Sequence, residues 1–352
     1  MPFKRALSRW TSVPVAWRLF LVAGIWFGLI SWLHFWLNLD RGEQQIVRMG
    51  YMPVISNLSA PLLDHLTQRQ GPVYFQAIKF ASFAEMAEAL RNDQIQVAFM
   101  IAPLSIVLHQ QKADVKVVYI GNRNESTLVA RQDLGVHRVQ DLAGKTIAVP
   151  MRYSGHNLCL LQLMESLSLK GKIKVVEMNP PDMAAALLAG SLDAYFVGEP
   201  FAAKVLQRNE ATLVHYVEEI WPDFICNLMI VRESMINKDP ELIQLLVQGA
   251  ARASKWALDH THDAAKIVCQ YWNQPSDLVE YALSTPANRI RYDQFVPRLD
   301  ELQYMADLML HFNLISHNDI AGLVDDRFAK RVDLAGITDF KSVLKPVLTA
   351  PY

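Results

Sequence analysis

The run Arg152-Tyr153-Ser154-Gly155-His156-Asn157 gathers more groups capable of chemistry than any other short stretch of this chain. It is a polar, glycine-containing loop, and the apolar spacing of Leu158 to Leu169 predicts a long helix directly after it. The first backbone N–H groups of a helix have no partner inside it, so such an end attracts anions. Gly155 would let a ligand approach the backbone closely, while Ser154, His156 and Asn157 could supply side-chain hydrogen bonds around an oxyanion. The same residue types also make an ordinary N-cap, with or without a ligand.

Other stretches carry less. Gly144-Lys145-Thr146 has the ending of a phosphate loop, but Val139 stands where its first glycine would be, and the stretch leads into a strand instead of a helix. Asp259-His260-Thr261-His262-Asp263 offers metal-ligating side chains at a helix-to-helix turn, where Asp and Thr are also normal caps. Cys159, Cys226 and Cys269 are scattered and odd in number, which speaks against a zinc site or a disulfide framework and for free thiols. No GxSxG, HExxH or CxxC occurs. Glu199, beside Pro200, reads as a buried acid or a cleft residue, and Pro103 and Pro200 as residues that set turns.

The elements that position these residues are announced by a repeat. Met86 to Leu104 and Met183 to Phe201 share one order without a gap: Met86 matches Met183, Leu90 matches Leu187, Phe99 matches Phe196 and Pro103 matches Pro200. Each copy predicts a helix, a polar turn, an apolar strand and a Pro-containing loop, so the chain should contain two similar α/β lobes. Ligands of open α/β sheets lie beyond the carboxyl ends of the strands, and two such loops facing one another would form a cleft. Glu199 has Ala102 as its counterpart, which makes it an addition specific to the second lobe.

Around the repeat, Ile46 to Tyr51, Val73 to Phe80, Ile95 to Ile101, Val115 to Ile120 and Thr146 to Val149 predict strands, and Ala60 to Gln70 and Phe83 to Arg91 predict helices. Gly121 to Glu125 is polar enough to be a crossover and is the candidate hinge. Leu228 to Val231 predicts a strand that returns to the first lobe. Beyond Asp239-Pro240, an N-cap followed by proline, three-four spacing predicts helices over Glu241 to Leu258, Asp263 to Trp272 and Pro297 to Phe312.

The N-terminus predicts membrane activity. Leu19 to Leu39 holds no formal charge and is long enough to cross a bilayer as a helix. Lys4, Arg5, Arg9 and Arg18 precede it, and Asp40, Arg41 and Glu43 follow, so the positive-inside rule places residues 1–18 in the cytoplasm and the large domain outside. The stretch lacks a small-x-small cleavage site, which favours an anchor over a removed signal peptide. The formal net charge of −1 gives no sign of a nucleic-acid partner.

Taken together, Gly50-Tyr51-Met52-Pro53 with Ala60-Pro61-Leu62, the Leu142 to Pro150 stretch, Ser154-Gly155-His156-Asn157 and Leu192 to Phe201 resemble the periplasmic solute-binding proteins of ABC transporters for nitrate, bicarbonate, sulfonates and thiamine-pyrimidine precursors. The resemblance covers most of Val47 to Phe312. It implies an α/β, two-lobed periplasmic-binding-protein (type II) fold with an inter-lobe cleft, preceded by one N-terminal transmembrane helix over 19–39. Lobe I would comprise 46–121 and the helical 228–330, lobe II 122–227, and 331–352 a tail. It further implies capture of a small anionic or polar solute, delivery to an ABC permease and its ATPase, and no cofactor. Candidate ligand-binding residues are Ser154, Gly155, His156, Asn157 and Glu199 from lobe II, Ser56, Asn57, Phe83 and Pro103 from lobe I, and Asn227. His156 matches an anion-contacting histidine of the nitrate-type receptors. Phe83 stands where those receptors carry a tryptophan, and Asn227 where they carry a lysine. Losing that fixed cation points away from nitrate and toward a different or larger solute. Enzymes of thiamine-pyrimidine or menaquinone-pathway type share the fold, and a tethered solute sensor is a third reading.

Overall fold

The structure, a computed structural model, describes residues 14–38, 44–68 and 71–344. It divides into two units, Met1–Gln45 and Ile46–Tyr352. In the first, helix α1 covers Val15–Asn38, and its Val15–His34 stretch is long and apolar enough to cross a membrane. The helix begins four residues before the expected Leu19. Pro14 precedes it and its carbonyl accepts the Trp17 N–H, so the apolar Val15-Ala16-Trp17 joins the first turn. Lys4, Arg5, Arg9, Asp40, Arg41 and Glu43, which carry the orientation argument, lie outside the described residues, as do Leu39 and the tail beyond Leu344.

The second unit is built on two sheets. β1 (Gln45–Tyr51), β2 (Val73–Lys79), β3 (Val97–Ile101), β4 (Lys116–Ile120) and β10 (Asn227–Val231) form the sheet of lobe I in the order β2-β1-β3-β10-β4. β5 (Ser126–Arg131), β6 (Thr146–Val149), β7 (Lys174–Glu177), β8 (Ala194–Gly198) and β9 (Ala211–Tyr216) form that of lobe II in the order β7-β6-β8-β5-β9. The two orders are the same once β6 is matched with β1, β8 with β3 and β5 with β10. β3 runs parallel to β1 and antiparallel to β10, with Phe99 opposite Met229. β8 runs parallel to β6 and antiparallel to β5, with Phe196 opposite Leu128. The sequence repeat therefore marks the centre of each sheet. Both central strands are buried along their whole length, which is why they read as unbroken apolar runs.

Helices complete each lobe. α2 (Ser59–Thr67) follows β1, and α3 (Phe83–Arg91) is capped by Ser82, whose hydroxyl accepts from the Ala84 N–H at 3.2 Å. α4 (Ala102–Gln110) starts with Pro103 in its first turn, the place where a missing N–H costs nothing. In lobe II, α5 (Gly155–Ser166), α6 (Pro180–Leu188) and α7 (Phe201–Gln207) follow β6, β7 and β8. The C-terminal helices are α8 (Glu233–Lys238), α9 (Pro240–Asp259), α10 (Thr261–Trp272), α11 (Ser276–Ser284), α12 (Leu299–His311) and α13 (Arg327–Lys330). As expected, Asp239 caps α9, accepting from the Leu242 N–H at 3.0 Å. α2 ends at Thr67, short of the expected Gln70, and β5, β7, β9 and α11 carried no clear sequence signal.

One cluster of buried apolar side chains runs from lobe I (Met52, Phe83, Ile101, Leu104) into lobe II (Val129, Ala148, Met183, Tyr195). The two lobes thus meet across a dry seam. Far from it, Arg252 of α9 is wholly buried and donates to the carbonyls of Ala335 (2.6 Å), Val343 (2.7 Å), Asp333 (2.9 Å) and Ser342 (3.0 Å), fastening the C-terminal segment.

Candidate functional site

The chain passes between the lobes at 121–125 and again between β9 and β10. A third segment lies against both: Arg123 pairs as an isolated bridge with Ile225 and with Arg291. The Arg123 guanidinium is bound to the Asp223 carbonyl at 2.7 Å, the Gln294 carbonyl at 3.0 Å and Glu301 at 3.0 Å. The polar run that predicted a hinge is therefore the middle strand of a small three-segment junction.

Beside this junction the turn after β1 reaches into lobe II. Ile55 N–H donates to the Glu199 carbonyl at 2.8 Å. The Ser56 hydroxyl donates to Glu125 Oε1 at 3.0 Å, and the Glu199 N–H donates to Glu125 Oε2 at 2.7 Å. Asn227 at the start of β10 donates through Nδ2 to Asn57 Oδ1 at 2.7 Å, and Asn57 donates to the Met52 carbonyl at 3.2 Å. Four expected residues, Ser56, Asn57, Glu199 and Asn227, come together here, all buried.

Glu199 accepts from Thr127 Oγ1 at 2.6 Å and from the Ala203 N–H at 2.7 Å, and lies 3.5 Å from Arg289 Nη1. Arg289 also donates to Glu218 at 2.9 Å and to the Ser126 carbonyl, and stacks over the Tyr216 ring at 4.1 Å. Burial raises the Glu199 carboxyl above the usual range, and Arg289 opposes that rise. Glu125 has no such partner: burial pushes it up to about 7, and the Glu199 charge adds to the effect. Glu125, Ser126, Thr127 and Arg289 were missed by sequence reasoning. Glu125 closes the candidate hinge and Ser126 and Thr127 follow it, which was the available signal; Arg289 sits in a loop that had none.

The Ser154–Asn157 loop is arranged differently from the expectation. Ser154 is the N-cap of α5, its hydroxyl accepting from the Asn157 N–H at 3.2 Å, while Asn157 Nδ2 donates to the Arg152 carbonyl at 2.9 Å. The space that Gly155 leaves open is taken by Phe224, whose ring a Cβ would meet at 2.5 Å. His156 is packed against Phe196 and Phe224, with Nε2 2.9 Å from the Ser126 hydroxyl and 4.0 Å from Cys226 Sγ. Ser154, Asn157 and His156 Nε2 are thus engaged in capping and in the interior of lobe II, while His156 Nδ1 is buried without a hydrogen-bond partner.

Burial drives the His156 pKa down to about 3, so it stays neutral, and burial together with the Glu125 charge pushes the Cys226 thiol far up. A protonated thiol beside a neutral imidazole is not an activated nucleophile. Because the unfolded chain binds a proton that folded His156 refuses, stability is complete above the ordinary histidine pKa and falls as pH drops toward about 3. The expected cost is about 2 kcal/mol on going from about pH 7 to about pH 5. Urea unfolding at both values checks this; His156→Gln should remove that share of the acid sensitivity, and an unchanged acid loss in the variant would contradict the assignment.

Phe83 lies apart from this cluster. With Ser82 and Ala84 it forms the lobe I wall of an inter-lobe groove of about 390 Å³, whose lobe II wall is Pro150, Met151, Glu177, Met178, Asn179 and Asp182. Pro103 takes its place in the first turn of α4 and is not among the residues lining that groove. At the helix turn, His260 bonds the Trp256 carbonyl and His262 pairs with Glu280. Among the described residues no three His, Cys, Asp or Glu side chains come together to hold a metal ion.

With this geometry in view, the likeness to known proteins can be stated. The chain is 26% identical over 182 residues to the taurine-binding periplasmic protein of Escherichia coli (strain K12), a match that takes in 50% of this chain and 55% of that protein. It is 24% identical over 311 residues to a protein of Bacillus subtilis (strain 168) described as an aliphatic sulfonates-binding protein, covering 83% of this chain and 89% of the other. The fold matches that of the ligand-binding component of an ABC-type import system from Staphylococcus aureus, solved with zinc bound, at a TM-score of 0.74 and 21% identity over 83% of this chain and 100% of that one. With a profile match over residues 40–273, the chain belongs to the NMT1-like family.

Proposed function

We propose that the protein is the solute-binding component of an ABC import system, closing its two lobes on a small anionic or polar solute and presenting it to a permease and its ATPase. The observation that carries this reading is the pair of matched sheets whose strand-end loops meet across the seam, with a groove at its edge. Relatives named for taurine and for aliphatic sulfonates support it. Phe83 forms one wall for the solute, and Met151, Met178 and Asn179 the other. Ser56, Asn57, Glu199 and Asn227 form a separate buried polar cluster where the lobes meet. The charged side chains on the groove are Glu177, paired with Arg152 at 3.0 Å, and Asp182. Together with Asn227 in place of a lysine, they favour the polar or zwitterionic end of this solute range. Helix α1 tethers the protein by its N-terminus, with the lobes on the periplasmic face of the cytoplasmic membrane.

Mechanically the solute adds contacts to both lobes at once, which shifts the open-closed equilibrium by its differential affinity for the closed form. The test is a thermal-shift screen of the full chain in detergent against nitrate, nitrite, bicarbonate, cyanate, taurine, alkanesulfonates and aminopyrimidines. A solute present at about 100 times its Kd should stabilise the protein by about 2.7 kcal/mol. The expected result is a raised melting temperature with one class of solute, reduced in Phe83→Ala. No shift with any of these solutes would count against the reading.

A further inference from the structure

Glu125 is the last residue of the crossing out of lobe I, and its two carboxyl oxygens are divided between the lobes. Oε1 holds the Ser56 hydroxyl of lobe I at 3.0 Å, and Oε2 holds the Glu199 N–H of lobe II at 2.7 Å. Immediately alongside, the Ile55 N–H bonds the Glu199 carbonyl at 2.8 Å. An opening that separates the β1–α2 turn from the crossing breaks the Ser56 bond and lets water reach the carboxyl. We propose that Glu125 is a proton-operated clasp: the lobes are held together when its carboxyl is neutral and released when it is charged.

The surroundings decide the sign. Facing Glu125 are Ser56 from the β1–α2 turn, Glu199 from the β8–α7 loop, Cys226 from the approach to β10 and Tyr292 from the third hinge segment. Cys226 and Tyr292 have pKa values pushed well up by burial and stay neutral, and so does His156 behind Cys226. The bonds from Ser56, Cys226 and the Glu199 N–H favour the ionised carboxyl, but burial and the like charge of Glu199 outweigh them. The buried guanidiniums at this junction are engaged elsewhere, Arg289 with Glu199 and Glu218 and Arg123 with Glu301. In the closed form Glu125 ionises only near pH 7, whereas in an open, wet cleft it would ionise in the ordinary carboxylate range. The closed form thus holds the proton more tightly. Closure is favoured in full below the ordinary carboxylate pKa and loses that advantage as pH rises through about 7.

This rests on the two-lobed closing motion of the proposed function but not on any solute, so the solute screen and the clasp can fail separately. The experiment is pulsed EPR on the full chain in nanodiscs without solute, in a Cys269→Ser background. Spin labels sit at Glu88→Cys on α3 and Lys170→Cys beyond α5. Between about pH 5 and about pH 8 the open-to-closed ratio should rise at least about tenfold, with its midpoint near 7. Glu125→Gln, neutral at every pH, should stay closed with a flat profile. His311 of α12 and Glu165 of α5 also join the lobes, 3.0 Å apart, and His311→Gln should leave the profile intact. A wild-type distance that does not change with pH overturns the proposal and needs no variant to fold. So does a Glu125→Gln profile like that of the wild type, or a profile abolished by His311→Gln.

Discussion

Replacing Arg289 with methionine should cost about 3–5 kcal/mol of stability near neutral pH, the usual penalty for leaving a buried carboxylate without its cation. Arg289 is buried, sits 3.5 Å from Glu199 and 2.9 Å from Glu218, and covers the Tyr216 ring. Methionine keeps much of the apolar stem, so the loss isolates the charge. The pH dependence separates this from a simple packing defect. Burial raises the Glu199 pKa and Arg289 holds the rise in check. Without Arg289 the folded protein takes up a proton at Glu199 that the unfolded chain takes up only in the ordinary carboxylate range. The deficit should then shrink as pH falls, because protonation removes the unpaired charge. Urea unfolding at about pH 8 and about pH 5.5 checks this, and Glu199→Gln in the same background should recover part of the loss. A deficit of equal size at both pH values would show that the ion pairs are not its source.

Gly121→Ala should cost about 3 kcal/mol, at the upper end of what overpacking a tight interior exacts. A Cβ at this position would stand 2.1 Å from the Ser56 carbonyl oxygen and 3.4 Å from that of Asn227. Both neighbours are main chain, so no side chain can swing aside. Relief would require the β1–α2 turn to move away from the hinge, which would also break the Ser56–Glu125 bond. The measurement is a denaturation curve paired with the inter-lobe distance. A stable variant with an unaltered distance would mean that the turn yields without cost.

Much of the architecture could be read from particular residues. The two copies around Phe99 and Phe196 disclosed the matched sheets because central strands, buried on both faces, have little freedom but to be apolar. Ser154 and Asp239 each announced a helix start and each caps one. The two edge strands of lobe II, β7 and β9, escaped for the opposite reason. β7 is Lys-Val-Val-Glu, and half-exposed positions need not be apolar. The site was legible in part. Ser56, Asn57, Glu199 and Asn227 meet as a group, but in the Ser154 to Asn157 loop the Ser154 hydroxyl takes the Asn157 N–H, and the space beside Gly155 is filled by Phe224, nearly seventy residues away in sequence. Glu125 and Arg289 gain their significance from tertiary burial, which no local pattern encodes.

The strand orders bear on how the protein emerges during synthesis. Lobe II is made from one uninterrupted stretch, β5 to β9, and can complete its sheet as soon as that stretch is available. Lobe I cannot, because β10 lies between β3 and β4, strands made long before it. Until Asn227–Val231 arrives, Val97–Ile101 and Lys116–Ile120 each present an unpaired edge, the kind of surface on which chains associate wrongly. The middle of the nascent chain can therefore complete its lobe before the segments on either side of it, and the first strands of lobe I are the ones that need shelter while they wait.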